Sequence, residues 1–91
     1  MKKYIIERSI PGVDKLTPEE YKNAAAASNA ALYQLAPRVQ WAESYVAGDK
    51  TFCVYLAEDE AVIFEHAKLS GFPANKVTEV FRKIDPMTAE G

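Results

Sequence analysis

Ninety-one residues are enough for one domain and too few for two. A formal net charge of -2 removes the electrostatic pull toward phosphate backbones and anionic bilayers, so neither nucleic acid nor a membrane is an expected partner. Hydrophobic residues at 48% and charged residues at 26% exclude a disordered chain.

The single cysteine, Cys53, allows no internal disulfide and fits a reducing compartment. No apolar run approaches bilayer length. Lys2-Lys3 followed by Tyr4-Ile5-Ile6 looks superficially like a secretion signal, but Glu7 ends the apolar stretch after three residues. The expectation is a soluble, cytoplasmic protein. No repeat or linker divides it, so residues 1-91 are read as one domain.

The chain opens with a predicted strand, residues 3-10, rich in β-branched and aromatic residues and stopped by Pro11-Gly12. Thr17-Pro18-Glu19-Glu20 is a helix start. Thr17 suits the cap, Pro18 the first helical position, and Glu20 completes a capping box. The helix runs to about Leu35. Its inward face, Tyr21, Ala24, Ala25, Ser28, Ala31, Leu32 and Leu35, is mostly alanine, which predicts close approach to a sheet.

Residues 38-47 and 50-57 read as two strands joined by a tight Gly48-Asp49 turn. The second of them is apolar at nearly every position and wants cover on both faces. Glu58-Asp59-Glu60 opens a second helix, which Gly71-Phe72-Pro73 closes. A last strand spans residues 76-84, and Asp85-Pro86 begins a tail.

The order βαββαβ, with both helices on one face of a four-stranded antiparallel sheet, predicts a ferredoxin-like α+β sandwich with the first and third strands central. The uncovered face then exposes half of the apolar third strand. A second copy would cover it, so a homodimer through that face is expected.

His66, the only histidine, falls between Val62 and Leu69 at helical spacing and so looks toward the sheet. It is either a metal ligand or general base at the helix–sheet seam, or a core-edge histidine bonded to backbone or a hydroxyl. In a regular hairpin Glu43 pairs with Val54, Tyr45 with Phe52 and Trp41 with Leu56. Glu43 would then interrupt an aromatic face of Trp41 and Tyr45, unless it lies at the edge in water. Cys53, opposite Ser44, belongs to the other face and reads as a small buried hydrophobe. Glu7 and Arg8, like Glu79 and Arg82, are charges on strands, a pattern that usually marks solvated positions or blunted edges. No CxxC, HExxH, glycine-rich phosphate loop or GxSxG is present.

Several segments together resemble a small bacterial family, formerly described only as a domain of unknown function and now named for a nickel-binding protein. They are Val39-Gln40-Trp41, Ser44-Tyr45-Val46, Asp49 through Ala57, Glu65-His66-Ala67, Gly71-Phe72-Pro73-Ala74 and Ile84-Asp85-Pro86. The resemblance implies a ferredoxin-like dimer and nickel, or another divalent transition metal, as the bound ion. Glu65-His66-Ala67 is the one matching segment with a good ligand for such a metal.

Two functions follow as expectations. One is a non-enzymatic metal-binding homodimer using His66 with Glu43 or Glu65. The other is a small-molecule-binding module or cofactor-free enzyme, with a cleft between sheet and helices lined by Trp41, Tyr45, Tyr55 and Cys53 and with His66 or Glu43 as general base.

Overall fold

The computed structural model describes residues 1–91. Four strands, β1 (Lys2–Ser9), β2 (Val39–Ala47), β3 (Lys50–Ala57) and β4 (Lys76–Val80), and two helices, α1 (Pro18–Leu35) and α2 (Glu60–Ser70), follow the order βαββαβ. Short 3-10 turns occupy Val13–Lys15 and Pro86–Glu90.

Local chemistry sets the boundaries. At the start of α1, Glu20 N–H donates to Thr17 Oγ1 (3.2 Å) while Thr17 N–H donates to the Glu20 carboxylate (3.0 Å), the reciprocal box read from the sequence. Asp59 caps α2 by accepting from Val62 N–H at 3.0 Å. At the other end Gly71 turns the chain out with φ 81°.

The sheet order is β2-β3-β1-β4 with every pair antiparallel, so β1 and β3 are central and the fold is ferredoxin-like α+β. On the helix-covered face lie Tyr4, Ile6 and Arg8 of β1 and Thr51, Cys53, Tyr55 and Ala57 of β3, all buried. Alternate residues, Ile5, Phe52, Val54 and Leu56 among them, form an open face that is only half-buried or exposed.

Two expectations are corrected. β4 ends at Val80 rather than Ile84, because Val80 already pairs with Lys3 and the next residues run past the start of β1. The second concerns β2. Glu43–Val54, Ser44–Cys53 and Tyr45–Phe52 pair as read, but Trp41 lies opposite Tyr55, not Leu56. A bulge inserts Ala42 between Trp41 and Glu43, and one extra residue reverses the parity of everything before it. Trp41 therefore leaves the face of Tyr45 and Glu43 and joins that of Ser44, to whose Oγ its indole N–H donates at 2.8 Å.

Candidate functional site: a cleft between the first helix and the sheet

The alanine face of α1 does not close down on the sheet along its whole length. Ala24 and Ala25 are too small to fill the space above β2 and β3, and a cleft of about 320 Å³ remains there. The Val13–Lys15 turn forms its far wall and is tied to α1 by Tyr21 Oη, which donates to the Val13 carbonyl at 2.6 Å. Trp41 and Val46 stand toward the exposed rim, whereas Cys53, Tyr55, Ser28 and Arg8 are nearly inaccessible and make the floor.

One end of this floor is polar. Arg8 is 3% exposed. Its Nη1 donates to the carbonyls of Pro73 (2.8 Å) and Phe72 (3.4 Å), and its Nη2 to Tyr55 Oη (3.4 Å). The guanidinium also sits 5.9 Å from the centroid of the Tyr55 ring. Burial pushes the Tyr55 phenol up, opposed by hydrogen bonding to Ser28 and by the Arg8 charge.

The ion pairs of the chain lie elsewhere: Arg38 with Glu58 and Glu65, Lys50 and Lys76 with Glu7, and Lys83 with Asp85. Arg8 has no carboxylate. Sequence reasoning missed it by treating strand charges as solvated. The signal was its spacing, two residues beyond Ile6 and four beyond Tyr4 on a central strand, which places all three on the covered face.

His66 is 1% exposed and sits behind the floor, its ring 5.3 Å from that of Tyr55. Nε2 lies 3.3 Å from both Ser28 Oγ and the Ser28 carbonyl, and Nδ1 has no partner. A buried N–H without an acceptor costs more than a buried lone pair without a donor, so we place the proton on Nε2, donating to the carbonyl. In that tautomer the ring cannot accept a proton from Ser28. Burial, then the Arg8 charge, hold the imidazole pKa down against the raising effect of the Ser28 backbone bond.

The metal ligands expected from the sequence are not brought together. His66 is in the core, and Glu65 reaches Arg38 on the exposed side of α2. Glu43 lies on the open face, where the Tyr45 hydroxyl donates to it and Tyr45 is raised by that bond and by the neighbouring charge. No three His, Cys, Asp or Glu side chains cluster anywhere, so the residues of one chain do not fit a nickel centre. Of the residues expected to line the cleft, Trp41, Tyr55 and Cys53 do. Tyr45 does not, because the hairpin register puts it on the open face.

Fold and cleft together define a small ferredoxin-like domain with a mostly apolar seam pocket and one buried cation. The chain belongs to the family described as "Nickel responsive protein SCO4226-like", whose model matches residues 4–80. Among solved structures it is similar to the subject of "Crystal structure analysis of SCO4226 from Streptomyces coelicolor A3(2)", at 20% identity and a TM-score of 0.70. That match covers 90% of this chain and 99% of the other. No curated protein matches. No helix of this chain is long and apolar enough to cross a membrane.

Proposed function

We propose that this protein is a small-molecule-binding module and that the cleft between α1 and the sheet is its binding site. The observation that carries the reading is the cleft itself: about 320 Å³, walled mainly by apolar side chains and ending on convergent polar groups. Small-molecule sites have this make-up and begin at about 300 Å³. No imidazole or carboxylate lines it, and the imidazole behind its floor, His66, turns its protonated Nε2 toward Ser28 and cannot take a proton from that hydroxyl, so binding is favoured over proton-transfer catalysis.

The test is a fragment screen followed by amide-resolved NMR, with Ala25→Phe as the blocked variant. Hits should shift Ser28, Thr51, Cys53 and the Trp41 indole, and Ala25→Phe should abolish them while leaving the spectrum folded. Shifts confined to Val54 and Leu56 on the open face, or hits indifferent to Ala25→Phe, would overturn the reading.

The family description supports nickel as a second reading. Because one chain gathers no donor set, a nickel site would draw ligands from more than one copy. We expect calorimetry at pH 7.5 to show no saturable nickel binding that His66→Ala removes. A loss of tenfold or more in affinity in that variant, about 1.4 kcal/mol, would instead make His66 the ligand. We also propose that the protein is cytoplasmic and that two copies pair through the open sheet face.

A further inference from the structure

We infer that the cleft is selective for amphipathic monocarboxylates, with Arg8 as the group that recognises the carboxylate and the apolar wall toward Trp41 and Val46 as the seat of the hydrocarbon body. This rests on the cleft being a ligand site and adds the charge and orientation of what it takes.

A guanidinium stays protonated at any physiological pH, so burial cannot neutralise it as it can an acid, an imidazole or a lysine. Leaving such a charge without a counter-ion is costly, and buried charges are normally paired. Arg8 is 3% exposed and in no ion pair. Its three protein hydrogen bonds, to two carbonyls and the Tyr55 hydroxyl, leave part of its five-donor fork unused. Holding the loop of Phe72 and Pro73 accounts for the Nη1 bonds. It does not account for a cation at the floor of an apolar pocket, where a neutral donor would hold a carbonyl without the charge.

An anion entering the cleft would supply the missing counter-charge. A planar carboxylate matches the fork of an arginine, and the Tyr55 hydroxyl, which already accepts from Arg8, has its own proton to donate to the same group. The walls between this end and the rim, including Val13, Leu16, Ala24 and Ala25, carry no charge. A phosphate monoester or dicarboxylate would bring a second charge onto those walls. The fit is therefore one negative charge on an apolar body, and a cationic head is rejected by Arg8.

The experiment compares octanoate, octanamide and octylammonium on the wild-type chain at pH 7.5 and below their micellar range. The readouts are Trp41 emission, a clean reporter because it is the only tryptophan, and calorimetry. Octanoate should bind at least tenfold tighter than octanamide, with octylammonium weakest. Arg8→Met, checked for fold by circular dichroism, should bring octanoate to the level of octanamide. If the variant does not fold, the wild-type comparison still decides. Equal affinity for octanoate and octanamide would overturn the charge assignment and leave the cleft as a binding site. Failure of all three probes to bind would overturn both.

Discussion

At 1% exposure the His66 ring meets Ser28 from α1 and Tyr55 from β3, with the Arg8 guanidinium of β1 beyond, and no carboxylate is among these neighbours. Burial and the Arg8 charge disfavour the imidazolium and together outweigh the Ser28 backbone bond, which favours it. The folded-state pKa therefore lies below the ordinary value of about 6.5 that the unfolded chain keeps. The unfolded state binds the proton first, so stability is full above about pH 6.5 and falls as the pH drops toward the folded pKa, by at most about 1.4 kcal/mol per pH unit. Because His66 is the only histidine, urea midpoints should decline between pH 7.5 and 5.5 in the wild type and stay nearly level in His66→Gln. An equal decline in both proteins would show that His66 is not the group responsible. The same environment that makes His66 a poor metal ligand makes it an acid-sensitive part of the core.

Among the elements, the hairpin shows what a sequence can and cannot reveal. Gly48-Asp49 was legible because a two-residue turn between right-twisted strands demands positive φ, which glycine adopts freely. Gly48 has φ 60°, and a Cβ at this position would meet no neighbouring atom within 4 Å. Gly48→Ala should thus cost only the conformational term, about 1 to 2 kcal/mol, seen as a melting temperature lower by roughly 4 to 16 °C for a domain of this size. An unchanged melting temperature would mean that the turn has relaxed to another type. The caps of α1 and α2 were legible for the same reason, since each is a contact between residues at most four apart.

The Ala42 bulge was not legible. Alanine carries no bulge signal, and what selects the bulge is tertiary: it brings a large aromatic to the cleft side, opposite Tyr55, where its N–H finds Ser44. Arg8 was half legible. Strand alternation placed it on the covered face, but the rule that charged strand residues are solvated pointed the other way, and only the structure shows the carbonyls and phenol that receive it. The cleft was legible in part: Trp41, Tyr55 and Cys53 were expected in it and line it, whereas the space beneath the alanines of α1 was not expected. A face of alanines predicts close packing only if the backbone can approach, and here the Val13–Lys15 turn, held to α1 through Tyr21, stands between helix and sheet.

On the scale of the molecule, the core is one-sided. Fifteen of 91 residues are buried, and they lie between the helices and one face of the sheet. The radius of gyration is 14.0 Å against about 12 Å expected for a compact domain of this length, and the smallest dimension is 20 Å, the thickness of two layers. On the open face Ile5, Phe52, Val54 and Leu56 run across both central strands, and Ile84 of the tail lines a second depression of about 340 Å³ beside Ile5 and Val54, rimmed by Lys3, Glu43, Arg82 and Lys83. Apolar area of this kind on a thin sandwich is what a third and fourth layer, supplied by a second copy, would bury. Val54 lies on the central strand β3 within this apolar run, so a charge placed there would be buried without a partner if a second copy closed over the face. In light scattering coupled to gel filtration the wild type should therefore run at twice the 10.1 kDa chain mass. Val54→Asp should run at the single mass with its far-ultraviolet circular dichroism intact, because in the monomer that position is only half-buried. A wild type that is monomeric at tens of micromolar would remove the dimer from the proposal. A Val54→Asp variant that still pairs would move the interface to another face. Neither result would touch the cleft, which lies on the far side of the sheet and is built wholly from one chain.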